Sequence, residues 1–195
     1  MDSFSDGRIN LVIIGDQVAQ GYGDQAKLGV VGRILKSEAQ DLNVIDYNLG
    51  IYASNSAKIS KRLNDDLFDR FDTSNKNRLL IFMPSADIDE FSTSRSRLNL
   101  ANMIDQTMYP NQRIMVVGPP PRNLDDEIKL DNLSRSLSDV CARRNVRYVD
   151  LFHRLKDDAQ WINSMLKTDG KYPDQTGYGL LAWLVRDGGF MEFLR

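Results

Sequence analysis

The sequence predicts an α/β domain in which a parallel sheet carries helices on both faces. Three observations lead there. Five short apolar runs recur along the chain, starting at Ile9, Leu42, Arg78, Arg113 and Val146. Segments of crossover length with helical periodicity separate them, and strands alternating with helices in this way form parallel units with right-handed connections. The first run carries Ile9 and the unbroken stretch Leu11 to Ile14. Such continuity, without polar alternation, marks a strand buried on both faces.

Gly15 and Asp16 end that first strand, and a glycine there lets the chain turn sharply where open α/β folds hold ligands. Val30, Val31, Ile34, Leu35 and Ala39 then recur at helical spacing with Arg33, Lys36 and Glu38 opposite. Leu42 to Asn48 alternates as an edge strand does, and Gly50 follows it. Ile59, Leu63, Leu67 and Phe71 define a second helix by their four-residue steps. Arg78 to Met83 is the third strand, stopped by Pro84. Glu90 to Met108 reads as one helix through Leu100, Ile104 and Met108, with Pro110 beyond its end. Arg113 to Gly118 is the fourth strand, and Pro119, Pro120 and Pro121 force an extended loop after it. Leu130, Leu133, Leu137, Val140 and Cys141 mark a long helix before the fifth strand, Val146 to Leu151. A segment around Trp161, a loop at Thr168 to Pro173, a helix near Gly177 to Arg186 and the tail GGFMEFLR complete the chain. The tail either folds back on its own domain or supplies a homodimer contact.

Composition narrows the function. A chain of 195 residues without a Pro/Gly/Ser-rich linker reads as a single domain over residues 1–195. Acidic residues number 27 against 25 basic ones, so no excess positive field points to nucleic acid or an anionic membrane. The acidic, polar start MDSFSDGR lacks the basic then apolar order of a signal peptide, and the single cysteine, Cys141, has no internal disulfide partner. A cytoplasmic location is expected. No apolar run approaches the roughly 20 residues that span a bilayer.

Four separated blocks carry a resemblance. Gly15-Asp16-Gln17 opens the loop after the first strand, and Asn48-Leu49-Gly50 closes the second. Pro84-Ser85-Ala86-Asp87 follows the third, and Asp169-Gly170-Lys171-Tyr172-Pro173 lies near the C-terminus. Together they resemble the SGNH hydrolases, the GDSL family of esterases and lipases, whose blocks run Gly-Asp-Ser, Gly, Gly-x-Asn-Asp and Asp-x-x-His-Pro. The resemblance implies a three-layer α/β/α domain of flavodoxin-like architecture with a five-stranded parallel sheet. It also implies where acyl-transfer residues belong: the nucleophile at Gln17, oxyanion donors at the Gln17 backbone, Gly50 and Ala86, and the base with its orienting acid at Tyr172 and Asp169.

Three of those positions are substituted. A glutamine amide is no nucleophile, alanine has no side-chain donor, and a phenol that titrates near about 10 is a poor base at neutral pH. Loss of one oxyanion donor costs roughly 10²–10³ in turnover and loss of the nucleophile or base about 10⁶, without simple additivity. The sequence therefore supports a family member that has lost esterase chemistry and binds a small ligand or partner in the residual cleft. The alternative is an active GDSL-type esterase or acylhydrolase that uses non-standard residues.

Around the cleft, Asp16, Ser85 and Asp87 are candidate ligand contacts. Asp16 and Asp87 equally suit loop-bracing hydrogen bonds, and with Asp169 they match no metal-motif spacing, so neither metal nor cofactor is expected. His153, the one histidine, can serve as a displaced base for Ser54, Ser56 or Ser85, or be a surface residue beside Phe152. The glycines at 15, 21 and 23 lack the Gly-Lys-Ser/Thr of a nucleotide loop. Cys141 lies on an apolar helical stripe and reads as core. Trp161, Tyr178 and Trp183 are candidates to line the pocket or to pack the last helix.

Overall fold

A computed structural model describes residues 7–107, 109–122 and 127–195. Met108, used above as a helical position, and most of the acidic N-terminal stretch lie outside the described residues. Five parallel strands, β1 (Ile9–Gly15), β2 (Val44–Gly50), β3 (Lys76–Phe82), β4 (Gln112–Val117) and β5 (Arg147–Val149), pair in the order β2-β1-β3-β4-β5. β1 is buried at every position, as its unbroken apolar run requires. β2, which alternates in sequence, forms one edge and stays partly exposed.

Successive side chains of a strand point to opposite faces, and here they divide the interior into two cores. Leu11, Ile13, Leu80, Phe82, Met115 and Val117 face one way, against Val30, Val31 and Ile34 of helix α2 (Gly29–Glu38) and Leu181 and Val185 of α9 (Gln175–Asp187). Val12, Ile14, Leu79, Ile81 and Val116 face the other, against three further helices: α3 (Ser56–Phe68), α5 (Thr93–Gln106) and α6 (Glu127–Ala142). Ile59, Leu63, Leu67, Leu100, Met103, Leu133 and Leu137 complete that layer. The result is the three-layer α/β/α arrangement.

Four short helices fill the connections: α1 (Gln17–Gln20), α4 (Asp87–Glu90), α7 (Phe152–Leu155) and α8 (Ala159–Leu166). The stretch expected as one helix over Glu90 to Met108 is two, because Phe91 is extended and Ser92 restarts the chain by accepting the Arg95 N–H at 3.3 Å. β5 is shorter than the Val146 to Leu151 expected, ending before Asp150.

The tail forms α10 (Phe190–Leu194) and folds back, with Phe190, Phe193 and Leu194 buried on the first core. Arg78, inside β3, fixes it there by donating Nε to the Leu194 carbonyl at 3.0 Å and a terminal nitrogen to Arg195 O at 3.1 Å. Burial, with Arg113 nearby, lowers this guanidinium to about 10, so it remains charged at neutral pH.

Candidate functional site

The carboxyl ends of β1, β3 and β4 surround a cavity of about 440 Å³ lined by Asp16, Gln17, Ser85, Ala86, Asp169 and Lys171 among others. The polypeptide reaches it by a turn that only glycine permits. A Cβ on Gly15 would lie 2.7 Å from the Ala19 Cβ and 2.8 Å from the Phe82 Cβ. Beyond the turn, Asp16 caps α1 by accepting the Val18 N–H at 2.9 Å. Burial raises the Asp16 carboxyl to about 6 against the pull of the Val18 and Ala19 amides, so it titrates close to neutrality inside the cavity wall.

Gln17 is the first residue of α1, and its side chain reaches across the cavity. Its Oε1 accepts the Ala53 N–H at 3.2 Å, and its Nε2 donates to the Lys171 carbonyl at 3.3 Å. The loop after β2 and the loop after α8 are thus joined by one amide. Ser85 is less available, since its Oγ donates to the Pro120 carbonyl at 2.6 Å. Ala86 contributes only a methyl group to the lining.

Three positions singled out in the sequence stand elsewhere. Gly50 does not line the cavity: its N–H donates to Asn48 Oδ1 at 3.1 Å, and a Cβ there would lie 2.3 Å from the Gln20 amide nitrogen. Its role is to let α1 pack on β2. Asp87 is buried behind the wall and accepts the Ser56 N–H at 2.9 Å, holding the start of α3. Burial raises its carboxyl while hydrogen bonds from Ser56 oppose the rise. Tyr172 directs its ring over Gly23, where a Cβ would meet it at 2.2 Å, and stacks edgewise on Tyr22 at 4.9 Å. The loop around it is held by backbone bonds, with Asp169 and Gly170 both at positive φ.

The structure adds residues that spacing did not reveal. Ala53, at φ 55, turns its N–H to Gln17, and no local signal marks an alanine for that conformation. Asp89 and Arg122 form a bidentate pair in the wall at 2.7 and 2.9 Å, and Arg122 holds the Asp89 carboxyl below its usual range. Trp161 and Met165 from α8, with Pro120 and Pro173, supply the apolar part. Trp161 is oriented by its Nε1 donating to the Pro121 carbonyl at 3.1 Å. Of the other aromatic candidates, Tyr178 is buried and donates to the Tyr22 carbonyl at 2.8 Å, while Trp183 is exposed under the Arg154 guanidinium.

His153 is not in the cavity lining and meets none of Ser54, Ser56 or Ser85. Its Nδ1 lies 2.6 Å from Asp150 Oδ2 and its Nε2 2.5 Å from Asp131 Oδ1. Among the described residues no group of three or more His, Cys, Asp and Glu side chains is placed to hold a metal ion. None of the described helices is long and apolar enough to cross a membrane. Cys141 is buried in the second core, which pushes its thiol up to about 12.

Comparison with solved structures gives the same architecture. TesA superposes with a TM-score of 0.75 at 19% identity, over 93% of this chain and 97% of that one. The lipase/acylhydrolase from Enterococcus faecalis gives 0.74 at 23% identity, over 93% and 94%. The psychrotrophic esterase EstA from Pseudoalteromonas sp. gives 0.74 at 19%, over 97% and 99%. At these identities the likeness carries the fold alone. No sequence among the curated proteins matches significantly. The family described as GDSL-like Lipase/Acylhydrolase matches residues 13–180, a span that runs from β1 into α9 and takes in every wall of the cavity, and the chain belongs to that family.

Proposed function

We propose that this chain has given up acyl transfer and uses the cleft to bind a small ligand. The observation that carries the reading is Gln17, at the position that the resemblance gives to the attacking hydroxyl, whose amide is tied on both sides, to the Ala53 N–H and the Lys171 carbonyl. An acyl-transfer enzyme needs a nucleophile within hydrogen-bond reach of a base. The serine that lines this cavity, Ser85, donates its hydroxyl to a backbone carbonyl, and the chain's single imidazole is engaged by two carboxylates outside it. The balance of 27 acidic against 25 basic residues favours a small molecule over nucleic acid or a membrane as the partner, and the lone cysteine favours the cytoplasm.

The test is purified protein with p-nitrophenyl acetate and butyrate and with a fluorophosphonate that labels activated serines. No turnover above buffer and no covalent adduct are expected. A phosphonyl adduct on any hydroxyl overturns the reading in favour of an esterase with substituted residues. A thermal-shift screen then finds the ligand, since binding to the native state raises the melting temperature with concentration over Kd.

A further inference from the structure

The way Gln17 is held describes what the cleft recognises. An N–H donor, on Ala53, and a C=O acceptor, on Lys171, stand on two different loops and are bridged by a single group that both accepts and donates. Both are backbone groups whose positions the surrounding turns fix. Ala53 is locked at φ 55, with Ser54 N–H donating to the Ile51 carbonyl at 3.1 Å. Lys171 N–H donates to the Thr168 carbonyl at 3.2 Å, and Gly170 N–H to Met165 O at 2.9 Å. The donor and acceptor therefore persist when Gln17 moves.

Gln17 can move. Its two bonds are at the long end of the hydrogen-bond range and solvent-exposed, and ordering a glutamine side chain carries a rotamer entropy cost that such bonds barely offset. We propose that the cleft recognises a small molecule bearing a carboxamide, which displaces the Gln17 amide and takes over its bonds to Ala53 and Lys171. This rests on the non-hydrolytic reading. An ester matches the Ala53 N–H but has no donor for the Lys171 carbonyl, and a carboxylate sets a negative charge against that carbonyl. A bound ligand covers the Lys171 carbonyl from water, and an ester then leaves it without the donor that a carboxamide supplies.

The surface beside the amide position suggests the rest of the ligand. Tyr52 adjoins Ala53, lines the cavity and is 46% exposed. Its ring is backed by that of Tyr22, 4.7 Å away and tilted by 53°, which Tyr172 in turn meets edge-on at 4.9 Å, so Tyr52 is held at the lining by two rings behind it. Aromatic faces take up flat apolar groups. The ligand class is a carboxamide carried on a flat, apolar face.

Benzamide and its ester counterpart methyl benzoate test this, titrated into the native chain and into Gln17→Ala while the Ala53 backbone amide is followed by NMR. Benzamide is expected to shift the Ala53 resonance and to bind Gln17→Ala at least 5-fold more tightly than it binds the native chain. It is also expected to bind Gln17→Ala at least 5-fold more tightly than methyl benzoate does. Equal binding of amide and ester without hydrolysis, or an Ala53 resonance that benzamide leaves in place, overturns the carboxamide assignment alone. Release of benzoate from methyl benzoate by the native chain overturns the non-hydrolytic reading, and this inference with it. Should Gln17→Ala fail to fold, the Gln17 side-chain NH₂ signal of the native chain decides. It is expected to move to its solvent-exposed position with benzamide and not with methyl benzoate, and an unmoved signal overturns the proposal.

Discussion

At the carboxyl end of β5, Asp150 lies 2.6 Å from the His153 ring and accepts from the Ser134 hydroxyl at 3.2 Å; at the carboxyl end of β1, the cavity wall offers the Gln17 amide and the Ala86 methyl. The first place holds the three residue types of a hydrolytic triad with no room to use them. Ser134 is fully buried, bonds to the acid and to Tyr148 at 2.9 Å rather than to the imidazole, and the second ring nitrogen of His153 is taken by Asp131. The second place has the open volume, and the serine in its lining, Ser85, donates to the Pro120 carbonyl and meets no imidazole. Residue types make catalysis only where their geometry coincides with space for a substrate.

That contrast can be broken most severely by Gln17→Ser, Ala86→Asn and Tyr172→His together. If the cleft lost only its reactive atoms, this triple variant hydrolyses p-nitrophenyl butyrate at least roughly 10³-fold faster than the native chain. A rate equal to native would show that the scaffold has drifted as well, for instance through the seat of Tyr172 on Gly23.

Next in size is the support beneath the cleft. Asp24 is buried, pairs with Arg33, and accepts the Leu28 and Gly29 amides at 3.0 and 2.8 Å. Burial alone would raise its carboxyl, but Arg33 and these amides hold it at about 2. Asp24→Ala leaves Arg33 without its partner and is expected to cost about 3–5 kcal/mol in urea unfolding. A loss below about 1 kcal/mol would mean that the pair is not part of the scaffold.

Asp16 sharpens the comparison through pH. Its folded value of about 6 lies above the ordinary 3.8, so between those values the native state holds a proton that the unfolded chain has released. Stability therefore falls as pH rises through that window and the penalty is complete above it. The gap corresponds to about 3 kcal/mol. Asp16→Asn, which keeps a capping oxygen, is expected to gain up to that amount over the native chain at pH 7 and nothing below pH ~3.8. A stability difference that does not change with pH would overturn it.

The smallest effect belongs to His153. His153→Ala is expected to cost about 1 kcal/mol, because its two contacts are partly exposed, and to leave background ester hydrolysis unchanged. Any loss of esterase rate would return the displaced-base reading.

The strands and both cores were legible in the sequence because burial imposes a repeat that local composition records. Leu11 and Ile13 face α2 and α9 while Val12 and Ile14 face α3, and a strand covered on both faces shows in the letters as an apolar run without alternation. The break at Phe91 between α4 and α5 was not legible, since Leu100 and Ile104 keep helical spacing on its far side and the Ser92 cap competes with an unbroken periodic run.

For the site, the sequence by itself determined which side chains stand in the four blocks, among them glutamine at position 17, alanine at 86 and tyrosine at 172. Identity is a property of the letter, and no fold can supply an absent oxygen or imidazole. Only the tertiary structure decided where the remaining groups point. It turned Gly50 against α1, drew Asp87 to Ser56, laid Tyr172 over Gly23, and brought Ala53 and Lys171, 118 positions apart, onto one glutamine amide. Such directions depend on backbone dihedrals and on packing between segments distant in sequence, and neither is written in the spacing of residues within a block.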